Sequence, residues 1–204
     1  MGAYENNKPK IQIRGGMGNV YKNHDMKWID SKCMIFILVL VMYSCSRPID
    51  REIQKFMSDK TKIPYGEMVR RTCSLYSDTL ESQCEYRLVN YIDMDSVNCG
   101  QCKFSVLEAT ERNLREDSSE NVRIEYIVRC SAKELESSYR KICNARLQGI
   151  VYFDTVGVFL ARNKSFPKET LLHTFLLNKN DSVVMVGNPY QNEKLKQLFK
   201  KIIK

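Results

Sequence analysis

The chain has 204 residues, 43% of them hydrophobic and 27% charged, which suits one ordinary domain plus an extension and excludes disorder over most of the length. The formal net charge is +8; residues 1–44 hold six Lys/Arg and three Asp/Glu, leaving 26 basic against 21 acidic residues in the rest. No basic stretch is interleaved with aromatics, so a nucleic-acid groove is not expected.

In chain order, the first 25 residues contain the cluster Gly15-Gly16-Met17-Gly18, which lacks the Gly-Lys-Ser/Thr ending and the strand-to-helix setting of a phosphate loop. Met26 opens a more ordinary N-terminus, MKWIDSKCMIFILVLVMYSC. Its uncharged block, residues 34–43, has ten residues. A spanning helix needs roughly 20 apolar residues and a signal-peptide core about 7–15, so the block reads as a signal core. With Ser44-Cys45 directly after it, the segment resembles the signal of bacterial lipoproteins, which implies a lipid on Cys45 and a membrane-anchored location in the cell envelope facing the periplasm; a plain secreted or anchored protein is the alternative.

Downstream, Ile49, Ile53, Phe56 and Met57 have helical spacing, and Pro64-Tyr65-Gly66 ends that segment. Residues 67–86 read as short extended pieces around a turn at Ser77-Asp78-Thr79. Cys73 and Cys84 stand symmetrically about that turn, so a hairpin would set them opposite each other as a disulfide; two unpaired thiols are the alternative. Arg87 to Met94 is a nearly continuous apolar run suited to a buried strand. CGQC (Cys99 to Cys102) follows, and Phe104, Leu107 and Leu114 then give a helical stripe starting near Cys99. Val122 to Val128 reads as a second strand, Ser131 to Glu134 as a capping box opening a helix that carries Leu135, Tyr139 and Ile142, and Gly149 to Phe153 as a third strand. Cys130 and Cys143 read as small buried hydrophobes. After an irregular stretch, Thr174–Leu177 and Ser182–Val186 flank the hairpin turn Asn178 to Asp181. The last helix has Leu195, Leu198, Phe199 and Ile202 on one stripe with Asn192 as N-cap. Its run KLKQLFKKIIK reads as a solvated face, with contact to anionic headgroups as the alternative.

Alternation of strands and helices with a terminal hairpin predicts an α/β fold with a central mixed sheet flanked by helices. The strand before CGQC, the block HTFLLNKNDSVVMVGNP at 173–189 and the closing amphipathic helix make Arg87 to Lys204 resemble the thioredoxin-like, TlpA-related lipoproteins of Gram-negative bacteria. The resemblance implies an N-terminal extension and lipoprotein-type signal over 1–45, a tether with a short helix over 46–66, and a thioredoxin-like domain over 67–204. It implies thiol-disulfide exchange with cysteine-containing envelope proteins, Cys99 being the exposed nucleophile and Cys102 the resolving thiol. A helix start favours a thiolate on its own physical grounds, because unpaired amides and the dipole stabilise negative charge there.

Two positions depart from the pattern of active members and define an altered substrate groove: Asn98 stands where Trp usually precedes the first cysteine, and, aligned on Thr174-Phe175, Leu172 replaces the cis-proline. A cis bond at a non-proline residue costs roughly 2.5–4 kcal/mol, so Leu172 is expected to be trans. Catalytic exchange therefore stands beside a redox-inactive binding or adaptor module. The adjacent His173 also opens a third alternative, a Cys-Cys-His site of the sort that suits copper or zinc. No nucleotide, flavin or haem motif is present, and neither a cofactor nor a metal is expected.

Overall fold

The computed structural model describes residues 48–73, 84–94, 100–117 and 121–204, with side chains omitted at 48 and 100–103. The proposed signal with Cys45, the turn at Ser77-Asp78-Thr79, and Asn98 and Cys99 lie outside the described residues. The described residues, from Pro48 to Lys204, belong to one compact unit. No helix among the described residues is long and apolar enough to cross a membrane.

Helix α1 (Pro48–Ser58) leads through a 3-10 turn (Tyr65–Glu67) to the short strand β1 (Val69–Arg71). Then come β2 (Tyr86–Asp93), α2 (Gly100–Glu116), β3 (Val122–Arg129), α3 (Leu135–Asn144), β4 (Ile150–Asp154), α4 (Val158–Arg162), β5 (Thr174–Asn178), β6 (Val183–Val186) and α5 (Glu193–Ile202). The six strands form one sheet in the order β1-β4-β3-β2-β5-β6. Strands β2, β3 and β4 are parallel neighbours; β1, β5 and β6 pair antiparallel.

The position of β2 follows from its sequence. Leu88 to Ile92 are all buried, because a strand covered on both faces can carry a continuous apolar run. Successive crossovers β2-α2-β3 and β3-α3-β4 step the same way across the sheet, and right-handed connections then put both helices on one face. Leu88, Ile92, Tyr126, Val128, Val151, Phe153, Leu176 and Met185 point to that face, against Leu107, Leu114, Ile142 and Phe199 from α2, α3 and α5. The chain must then return from β4 to β5 past β3 and β2, which it does on the opposite face. There Phe159 and Phe166, with Phe56 of α1, cover Val89, Tyr91, Ile127, Tyr152, Phe175 and Leu177. This mixed α/β arrangement, a CxxC strand-helix unit followed by an antiparallel hairpin and a closing helix, is a thioredoxin-like fold.

Three local readings change. The stretch between β4 and β5 contains α4, held by a buried cap: Asp154 Oδ1 accepts from Gly157 N (2.7 Å) and Val158 N (2.9 Å), and Oδ2 from Phe159 N (3.0 Å). The residues read as a capping box form a 3-10 turn, Ala132–Glu134, with Ser131 Oγ donating to the Glu134 carboxylate at 2.9 Å, and α3 begins only at Leu135.

The third correction concerns the cysteines. Cys73 is bonded to Cys143, with Cα atoms 5.1 Å apart, and not to Cys84. A hairpin across 73–84 would need β1 and β2 to be neighbours, whereas β4 and β3 lie between them, roughly 14 Å of sheet at about 4.8 Å per strand. Cys84 and Cys130 are thiols outside that bond, and Cys130 is fully buried, as a small hydrophobe would be. Cys143 is thus a bridge rather than a core filler.

The terminal hairpin and helix form as their sequences suggest. Asn178 Oδ1 accepts from Asn180 N (2.9 Å) and Ser182 N (3.1 Å), closing the turn, and Asn192 Oδ1 accepts from Leu195 N (3.0 Å) at the start of α5.

Candidate redox site and the residues that hold it

Helix α2 opens at Gly100, the second residue of CGQC, and carries Cys102 within its first turn; Cys99 precedes it in sequence and lies outside the described residues. The motif therefore belongs to the end of the molecule where the parallel strands terminate, with β2 at the centre of the sheet. This is the end at which open α/β sheets place their ligand-facing loops.

What fixes α2 is a set of buried polar groups along its inward face. Glu111, 1% exposed, sits on the helical stripe shared by Leu107 and Leu114. Its carboxylate accepts from Gln148 N and Gly149 N, each at 3.0 Å, and from Tyr126 OH at 2.7 Å. Burial and the neighbouring Glu111 together push the Tyr126 phenol well above its ordinary pKa, so it stays a donor. Gly149 is required by this close approach: a Cβ there would meet Tyr126 Cε2 at 2.7 Å and the Ile124 carbonyl oxygen at 2.8 Å. From the neighbouring residue of α2, Thr110 Oγ1 accepts from Asn188 Nδ2 at 2.7 Å, tying α2 to the segment between β6 and α5. Beneath it, Thr174 Oγ1 donates to Asn90 Oδ1 at 2.8 Å, joining β5 to β2.

The groove residues named from the sequence fall on the approach to β5. Leu172 ends a 3-10 turn (Thr170–Leu172), is half-buried against the aromatic core, and donates its N–H to the Glu169 carbonyl at 2.9 Å. No cis peptide occurs among the described residues, so Leu172 is trans. His173 is the residue immediately ahead of β5; its carbonyl accepts from Tyr91 N at 2.8 Å, which places it beside the part of β2 that leads towards CGQC. His173 is 9% exposed; its imidazole lies against Phe166 and Tyr91 (ring centroids 4.9 and 5.4 Å) and has Nε2 3.2 Å from the Pro167 carbonyl, an oxygen that can only accept. Among the described residues no group of three or more His, Cys, Asp or Glu is placed to hold a metal ion.

Ionic ties concentrate at the other end of the strands. Tyr65 OH donates to Glu125 Oε2 at 2.6 Å, Arg87 bonds both Tyr65 OH and Asp181, and Arg123 bonds Glu125, whose side chain is fully buried. Burial, followed by the Glu125 charge, raises the Tyr65 pKa far above that of a free phenol. Burial also pushes the Cys84 thiol up, with Arg123 opposing. The sequence reading missed Glu111, Glu125 and Asp154. The available signal was an acidic residue on an apolar stripe or inside a strand, which is costly unless its oxygens are satisfied.

No family model and no curated protein matches the chain. Among solved structures, a "putative Thiol:disulfide interchange protein DsbE" from Chlorobium tepidum is similar at 12% identity, covering 61% of this chain and 84% of that one, with a TM-score of 0.45. A thioredoxin-like protein from Bacteroides caccae is similar at 16% identity over 74% of this chain and 52% of that one, TM-score 0.42. One from Aeropyrum pernix matches at 12% identity over 60% and 81%, TM-score 0.40.

Proposed function

We propose that the chain is a membrane-anchored envelope protein, lipidated at Cys45 and facing the periplasm, whose thioredoxin-like domain exchanges disulfides with cysteine-containing envelope proteins through Cys99 and Cys102. The observation that carries this reading is the junction itself: CGQC bridges the central strand and α2, with Cys102 in the first helical turn. In the reducing direction the Cys99 thiolate attacks a substrate disulfide, forming a mixed disulfide and releasing one substrate thiolate. Cys102 then attacks the Cys99 sulfur, closing Cys99–Cys102 and releasing the second thiolate, so two electrons pass to the substrate. Oxidation is the reverse sequence.

The alternative, a redox-inactive binding module, draws on Leu172, which is trans and ends a 3-10 turn at the position where active members place proline. Trapping separates the two. Under exchange, Cys102→Ser accumulates a mixed disulfide through Cys99 and Cys99→Ser does not. Thiolate-selective alkylation should also give Cys99 the lower pKa, within the roughly 3.5–7.5 range of thiols at helix starts rather than about 8.5. Equal, ordinary reactivity at both positions with no trapped partner would leave the binding-module reading.

A further inference from the structure

Helices α1 and α5 lie against the edge strand β6 from opposite faces: Phe56 meets the core that holds Val183 and Val186, and Phe199 the core that holds Met185. On α5, Lys194, Leu198 and Lys201 stand at i, i+4 and i+7 and are all exposed, Leu198 at 44%. Lys204 extends the stripe; Lys60, which bridges to Ser182 outside β6, and Lys179 in the hairpin turn are exposed on the same margin of the sheet. The acids nearby do not balance them. Asp181 is taken by Arg87 and Asp117 by Lys200, leaving Glu193 and Asp59 exposed. The opposite margin is different: on and before α3, Lys133, Arg140 and Lys141 alternate with Glu134 and Glu136, and Arg140 pairs with Glu136.

We infer that this margin, centred on the outward stripe of α5, rests on anionic lipid headgroups. Lysines flanking one exposed leucine suit a bilayer surface, where the ammonium groups meet phosphates while their alkyl stems and the leucine reach the acyl boundary. A purely acidic protein face would leave Leu198 against charge. The inference deepens the anchored reading and rests on it only in requiring that the chain be held at a bilayer. Pro48, where α1 begins, follows Cys45 by three residues, about 10 Å of extended chain at most, so a lipid there would hold this margin close to the surface.

The test uses the full chain in vesicles of phosphatidylcholine alone or mixed with phosphatidylglycerol, with lysine acetylation rates read by mass spectrometry. Lys194 and Lys201 should react at least about five-fold more slowly on the anionic vesicles, the partition factor of one basic side chain near such a surface. High salt should restore the rate, and Lys133 and Lys141 should be unaffected. Leu198→Glu should abolish the protection at both lysines. Equal rates on the two vesicle types would overturn the inference. So would protection by added polyglutamate on phosphatidylcholine vesicles without protection by phosphatidylglycerol, which would assign the stripe to an acidic protein. The mass of the Cys45 peptide decides the anchor separately: an unlipidated Cys45 with the footprint intact would remove the anchor and keep the surface.

Discussion

The two ends of the parallel strands are built differently. At the end where β2 and β3 begin, elements distant in sequence are joined by side chains with charge or covalent bonds: Arg87 to Asp181, Tyr65 and Arg123 to Glu125, Glu111 to the turn before β4, Lys200 to Asp117, and Cys73 to Cys143. At the end where they finish, next to CGQC, the buried long-range ties are neutral hydrogen bonds, Asn188 to Thr110 and Thr174 to Asn90, the one distant ion pair, Arg162 with Glu67, is half-exposed, and the remaining ties are local. Asp154 caps the helix that follows it, and the His173 ring meets a carbonyl six residues back. A fold pinned at one end can let the other change its contacts without losing register, which is what an exchange site with a changing partner requires. Perturbations of the pinned end should therefore lower stability and leave thiol reactivity alone.

The largest such effect should come from the disulfide. Its 70-residue separation predicts a loss of about 4 kcal/mol on replacing Cys73 and Cys143 together by Ala, read as a denaturation midpoint, with the alkylation rate of Cys99 unchanged. Altered Cys99 reactivity in that variant would show that the two ends are coupled. Glu111→Ala should cost somewhat less, about 3 kcal/mol, because Gln148 N, Gly149 N and Tyr126 OH all lose their acceptor in a buried setting. On the lightly tied side the cost should drop. Leu172→Pro removes the single bond from Leu172 N to Glu169 O, about 1 kcal/mol by thermal melting, and tests whether proline there restores exchange or merely frays the turn.

The same contrast separates what was legible in the sequence from what was not. Strands β2, β3 and β4 were readable because burial on both faces demands apolar runs, and α5 because Leu195, Phe199 and Ile202 repeat at helical spacing behind a capping Asn192. Pairings between distant elements left no periodic trace. The symmetric spacing of Cys73 and Cys84 suggested a hairpin, but the antiparallel partner of β1 arrives only with β4, and the true partner of Cys73 lies on the helix just before it. Glu111 looked like one charge among many on α2; only the turn that brings Gln148 and Gly149 beneath it shows why an acid occupies an apolar stripe. His173 was singled out for its closeness to the displaced proline. Its aromatic surroundings depend on Phe166, in a segment whose path over the sheet follows from strand order rather than from local pattern.

The smallest expected effect is a pH dependence at the pinned end. Asp117, at the close of α2, accepts from Lys200 Nζ (3.0 Å) and Tyr190 OH (3.0 Å), and the Lys200 bond, more than the opposing desolvation, holds its carboxyl below the usual range. A carboxylate whose folded pKa is depressed stabilises above its unfolded pKa, about 3.9, and that contribution fades as pH falls through the lower folded value. The pair is open to solvent, so its worth should stay under about 1 kcal/mol and shrink with added salt. Melting the wild type and Asp117→Asn side by side should show a small gap near neutral pH that narrows in acid and closes once the pH lies below the depressed folded pKa, where both carry an uncharged side chain. A gap that persists undiminished in acid would mean that Asp117 acts through its hydrogen-bonding shape alone and that charge adds nothing at this joint between α2 and α5.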